Sequence, residues 1–129
     1  MIKHKYIHDS TFEFEAGGSI EGLEIAYHTS ERQWQEGDTR KVIWICHALT
    51  ANSNSQEWWP ELVGPGKLFD TEKYFVICVN MLGSPYGSSG PSSINPDTGR
   101  PYYFDFPLIT VRDIVNANIL VRKALGIEK

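Results

Sequence analysis

The chain is poor in the residues that staple, anchor or export a protein. It has only two cysteines, Cys46 and Cys78, in 129 residues. That is too few for a disulfide scaffold, so reduced thiols are expected. No apolar run approaches the ~18 residues that a membrane span needs. The opening, MIKHKYIHDS, lacks the apolar stretch of a secretory signal. Basic residues are scarce: 12 Lys+Arg stand against 16 Asp+Glu, a formal charge of −4. With no Lys/Arg stripe to neutralise phosphates, a nucleic-acid partner is not expected. A cytoplasmic protein with no membrane partner is the expectation.

Apolar material is sufficient. Hydrophobic residues make up 41% and charged residues 22%, a balance that supports a folded core rather than disorder. A chain of this length forms one domain and buries roughly two-thirds of its unfolded surface.

The first forty residues read as short strands and turns. Phe12-Glu13-Phe14-Glu15 alternates, Ala16-Gly17-Gly18-Ser19 is a turn signal, and Leu23-Glu24-Ile25-Ala26-Tyr27 alternates again. The pattern predicts an antiparallel pair of these two segments. Residues 31–41 are polar and predict a connecting loop. Val42-Ile43-Trp44-Ile45-Cys46 and Tyr74-Phe75-Val76-Ile77-Cys78-Val79 are then continuously apolar. Such runs predict parallel strands buried on both faces. About 27 residues separate them, enough for a crossover, with Trp58–Val63 as its candidate helix.

Residues 83–107 hold five of the seven prolines and predict a long loop. Residues 110–125 predict the clearest helix, with Thr110 as N-cap and Asp113 in the place of a capping-box Glu. Val111, Ile114, Val115, Val121 and Leu125 would share its apolar face, which Asn118 interrupts. Gly126 suits the position after its end.

Chemistry in an open α/β sheet belongs at the carboxyl ends of strands. His47-Ala48-Leu49-Thr50 follows the first buried run, where a loop can aim backbone N–H groups at a developing oxyanion. The plain alternative is a turn. Gly87-Ser88-Ser89-Gly90 could cradle a phosphate, but a simple turn is the better reading without the P-loop's Gly-Lys-Ser/Thr ending. No serine sits in Gly-x-Ser-x-Gly: two residues after Ser19 stands Glu21, and two after Ser89 stands Pro91. His4 and His8 are four apart, yet nothing helical brings them to one face, so no metal site is expected. Cys46 and Cys78 are expected inside neighbouring strands. Trp58 and Trp59 are expected as packing residues rather than a ligand platform.

Residues 42–52 (VIWICHALTAN) resemble the third-strand segment of the homoserine O-acetyltransferase family. The resemblance continues through Trp58-Trp59-Pro60, Leu62–Lys67, Phe69-Asp70-Thr71, Tyr74–Asn80, Leu82-Gly83-Ser84, Gly87–Pro91, Pro96–Gly99, Pro101-Tyr102, Phe106-Pro107 and Thr110–Asp113. It covers residues 42–126, with support from 12–30. The resemblance implies an α/β class and an α/β-hydrolase fold. Antiparallel first strands would precede parallel strands with crossover helices. It implies transfer of an acetyl group from acetyl-CoA, a co-substrate rather than a bound cofactor, to the hydroxyl of homoserine, an early step of methionine biosynthesis. The reaction would be ping-pong through an acyl-serine. The Leu49 backbone N–H would be half of the oxyanion hole, and Thr50 and Asn52 would line the substrate pocket. Measured against that family, residues 1–129 would be the N-terminal portion of a single hydrolase domain. The elbow serine, its Asp and His partners and the lid would lie outside it. A homodimer would form when complete, and these residues alone would be inactive. Succinyl-CoA as donor or serine as acceptor stays open. So does a non-catalytic half-fold binding module using Trp58, Trp59 and residues 102–106.

Overall fold

The computed structural model describes every residue up to Glu128. Its first strand, β1 (Ile2–Ile7), lies where the sequence suggested no element. The reason is chemical: the half-buried positions of β1 are His4 and Tyr6 rather than aliphatics. His4 stacks on Tyr27 at 5.1 Å between ring centroids and bonds Thr29 Oγ1 at 3.0 Å. Tyr6 Oη bonds His8 Nδ1 at 2.8 Å, and His8 Nε2 bonds Ser10 Oγ at 3.0 Å. His4 and His8 thus serve separate local hydrogen bonds.

The expected pairing of residues 12–15 with 23–27 is corrected. β2 (Phe12–Glu13) pairs instead with β3 (Ser19–Ile20), Phe12 opposite Ile20. The turn between them is tight, with Gly17 and Gly18 at φ of +104° and +84°. That conformation is nearly strain-free only for glycine. The turn consumes the partner positions, so β4 (Glu24–Thr29) is left for β1, antiparallel from Ile2↔Thr29 to Ile7↔Glu24. β5 (Val42–Ile45) and β6 (Phe75–Val79) pair in parallel, Val42↔Phe75 to Ile45↔Cys78. The main sheet has the order β1-β4-β6-β5, mixed as expected.

β6 is buried throughout, and its alternation feeds two cores. Phe75, Ile77 and Val79 face a larger cluster with Phe12, Phe14, Ile20, Leu23 and Val121. Val76 and Cys78 face a smaller one with Ile45 and Val63. β5 is not buried as expected. Val42, Ile43 and Trp44 are only half-buried, because β5 borders the sheet and pairs on one side alone. Arg40 pins the loop before it. The guanidinium clasps Asp38 at 2.5 Å and lies over the Phe75 ring at 5.5 Å.

The crossover helix is shorter and earlier than expected. α1 is Ser55–Trp58 only. Pro60 has no N–H and restricts the residue before it, so the helix ends and Trp59 turns away at φ −128°, ψ 50°. The long loop contains a small hairpin, β7 (Ile94–Asn95) with β8 (Arg100–Pro101). α2 (Val111–Ala124) has the expected capping box. Asp113 N–H donates to Thr110 Oγ1 at 3.3 Å, and Thr110 N–H donates to Asp113 Oδ2 at 2.8 Å. Its buried stripe differs from expectation: Val111 and Val115 are exposed, whereas Asp113, Ala117 and Val121 face inward. Asn118 explains the shift. Its Oδ1 accepts from Trp44 Nε1 at 3.0 Å, so this polar residue belongs to the inward face and joins α2 to β5.

Candidate active site

The carboxyl ends of β5 and β6 lie side by side, and the loops leaving them are stitched by one histidine. His47 is buried. Its Nε2 lies 3.0 Å from the Met81 N–H and accepts from it. The ring proton therefore stands on Nδ1, which donates to Ala48 O at 2.8 Å. A neutral imidazole so placed holds the two strand ends in register and leaves no lone pair for a substrate.

The next residues form a turn closed by Ala51 N–H donating to Ala48 O at 3.0 Å. Leu49 and Thr50 occupy its corner. The Leu49 side chain is 97% exposed and packs on nothing that would select leucine. Among the described residues, no hydrogen bond uses the Leu49 N–H. The corner offers a backbone donor at the end of a rigid strand. Thr50 is exposed beside it. Asn52 lies further along the same loop, half-buried. Its Oδ1 accepts from Asn54 N–H at 2.8 Å and its carbonyl from Trp58 Nε1 at 2.9 Å. Leu49, Thr50 and Asn52 thus share one loop, with the Asn52 oxygen already engaged in shaping it. Trp58 packs against the smaller core and Trp59 lies between Trp58 and Phe69, as packing residues.

Other candidates separate by burial. Cys46 lies beyond β5 and is exposed, which corrects its expected place inside a strand. Cys78 is buried in β6, and burial, with Cys46 nearby, pushes its thiol up to about 12. It is a packing thiol at neutral pH, not a nucleophile. The Gly87–Gly90 segment is a clamp. Ser88 Oγ donates to Asn80 O at 2.7 Å and accepts from Ala26 N–H at 3.1 Å, while Ser89 Oγ accepts from Glu24 N–H at 2.8 Å. The serines extend the pairing of β4 into the loop. Gly90 is required by close approach: a Cβ there would stand 2.9 Å from Gly83 O.

Asn80 opens the segment Asn80-Met81-Leu82-Gly83-Ser84, whose place after the second buried run makes it a further candidate from sequence. Asn80 follows β6 directly, is fully buried, and neither its Nδ2 nor its Oδ1 has a partner among the described residues. A buried carboxamide is normally paired.

A sequence model described as the alpha/beta hydrolase fold matches residues 41–129, more than half of the chain. The chain belongs to the α/β-hydrolase family. The similar proteins include homoserine O-acetyltransferases and esterases. The homoserine O-acetyltransferase of Deferribacter desulfuricans is 43% identical, over 100% of this chain and 37% of the relative. That of Chlorobaculum parvum is 48% identical over 92% of this chain and 33% of the relative. The crystal structure of the Bacillus anthracis homoserine O-acetyltransferase superposes with a TM-score of 0.82 at 34% identity, over 99% of this chain and 38% of that one. An acetylester hydrolase from Corynebacterium glutamicum superposes with a TM-score of 0.78 at 26% identity, over 99% and 35%. The chain spans about a third of the length of the curated relatives it matches.

Proposed function

We propose that this chain is the oxyanion-hole portion of an enzyme that acetylates the hydroxyl of homoserine from acetyl-CoA. The observation that carries the reading is the turn after β5, where the Leu49 N–H is unclaimed and His47 fixes the strand ends behind it. In acyl transfer, negative charge develops on the carbonyl oxygen as a nucleophile adds. A backbone N–H held in place stabilises that charge without reorganising. Any side chain serves at such a position, consistent with the exposed Leu49. Thr50 and Asn52 border the acyl and acceptor groups in this reading. The nucleophile, its base and the second donor belong to polypeptide other than these residues, which hold no Gly-x-Ser-x-Gly. The reaction would supply methionine biosynthesis in the cytoplasm, and the completed enzyme would be a homodimer.

A second reading sends the acyl group to water. The similarity to an acetylester hydrolase favours it. Acceptor partition separates the two. A polypeptide joining this chain to the remaining two-thirds of its relatives' length is given acetyl-CoA, and thiol release is followed with and without homoserine. Release that depends on homoserine, with O-acetylhomoserine as product, supports the transferase. Equal release without it supports the hydrolase. The 129 residues by themselves should release no thiol above background.

A further inference from the structure

Asn52 also lines a cavity of about 470 Å³ that includes neither Leu49 nor Thr50. Its walls come from three separate places: Lys3 and His28 on paired strands, Ser53 after the β5 loop, and Gly87 in the clamp. His28 Nδ1 lies 2.9 Å from Ser53 Oγ, and Ser53 is 2% exposed. With the Ser53 hydroxyl donating to Nδ1, the ring proton stands on Nε2, which no hydrogen bond among the described residues uses. Lys3 forms no ion pair among those residues. Its Nζ lies 3.8 Å from where a Cβ on Gly87 would stand. Gly87 itself sits at φ +109°, and a Cβ there would meet Ala26 Cβ at 3.0 Å, so glycine is required. Its N–H is likewise unused. Glu57 is the one carboxylate in the lining, and Asn54 Nδ2 donates to it at 3.2 Å.

We propose that this cavity binds a phosphate group, with the Lys3 ammonium as its charge and His28 Nε2 and the Gly87 N–H as its donors. Donors from three separate segments suit a tetrahedral oxyanion, and a backbone N–H beside a lysine is a common phosphate cradle. The source is either the phosphates of a nucleotide acyl donor, which rests on the transferase reading above, or a free phosphate ion. Electrostatics agree with an anion. Burial holds His28 below its ordinary value, and Lys3, the N-terminal ammonium and His4 lower it further, against Glu57 alone. A bound anion reverses that balance and raises the His28 midpoint.

The test follows the imidazole Cε1–H resonances of His4, His8, His28 and His47 by NMR in the polypeptide of full family length. Inorganic pyrophosphate and coenzyme A are added in separate titrations. A saturable shift of His28, a raised His28 midpoint and an unmoved His8 are expected. Lys3→Ala should weaken pyrophosphate at least tenfold, and Lys3→Arg should restore it. In Lys3→Ala without ligand the His28 midpoint should rise, which reports a folded variant. An unmoved His28, equal shifts of all four histidines, or unchanged binding by Lys3→Ala would overturn the proposal. Tighter binding of coenzyme A than of pyrophosphate assigns the site to the acyl donor. Binding of pyrophosphate with no response to coenzyme A supports the phosphate site and counts against coenzyme A as its occupant, leaving the acyl-transfer reading to the acceptor test.

Discussion

Replacing Asp113 should be among the most damaging single changes in the molecule. Its carboxylate is fully buried. Oδ1 accepts from Glu15 N–H at 2.9 Å, 98 residues away, and Oδ2 from Thr110 N–H at 2.8 Å. One side chain therefore caps α2 and ties it to the β2–β3 hairpin. Burial alone would raise its pKa, but the hydrogen bonds from Thr110 and Glu15 outweigh it and hold the carboxyl below its ordinary value. A hydrogen bond to a charged group contributes about 1.5–3 kcal/mol. Two such bonds, less the desolvation relieved when the carboxylate leaves, put Asp113→Ala at a loss of about 3 kcal/mol. Asp113→Asn keeps one acceptor but turns an NH₂ toward a backbone N–H, a loss of about 2 kcal/mol. Because the folded pKa is depressed, the contribution is complete above the unfolded value, about 3.9, and disappears as pH falls through the folded one. The assay is urea unfolding by tryptophan fluorescence, with wild type and variants at one low concentration. A loss below about 1 kcal/mol for Asp113→Ala, or a penalty that grows on acidification, would refute the reasoning.

Three further outcomes follow from the packing. Gly90→Ala drives a Cβ against the Gly83 backbone and should lower stability by about 1–3 kcal/mol in the same urea assay; no change would mean that the two loops part freely. Iodoacetamide at neutral pH should modify exposed Cys46 and spare buried Cys78 until the chain is unfolded, which peptide mass spectrometry reads directly. The half-covered β5 border, together with exposed Phe104, Leu108, Val111 and Val115, should make the 129 residues self-associate with concentration in light scattering. A monomer with a sharp melt across the range would contradict that.

The parallel pair β5–β6 and the α2 cap were legible because their signals are local. Continuous β-branched runs and a Thr-x-x-Asp spacing need no tertiary information. β1 was not legible, since its inward side chains are a histidine, whose partners Thr29 and Tyr27 lie across the sheet, and a tyrosine that bonds His8. The α2 stripe was misread because Asp113 and Asn118 look like surface residues until Glu15 and Trp44 arrive as partners. The site divides in the same way. The turn at Leu49 follows from its place after a buried strand. The His47–Met81 link and the His28–Ser53 pair join residues 34 and 25 positions apart, and no spacing rule reaches them.

The central claim is that the Leu49 backbone, not its side chain, carries the chemistry at the end of β5. The most direct measurement compares kcat for homoserine-dependent thiol release from acetyl-CoA in Leu49→Pro and Leu49→Ala, each in the polypeptide of full family length. Proline removes the N–H, and loss of one oxyanion donor lowers kcat by about 10²–10³. Alanine keeps the N–H and should stay within about threefold of wild type, since the exposed leucine packs on nothing. An active proline variant, or an alanine variant as damaged as the proline one, would contradict the account.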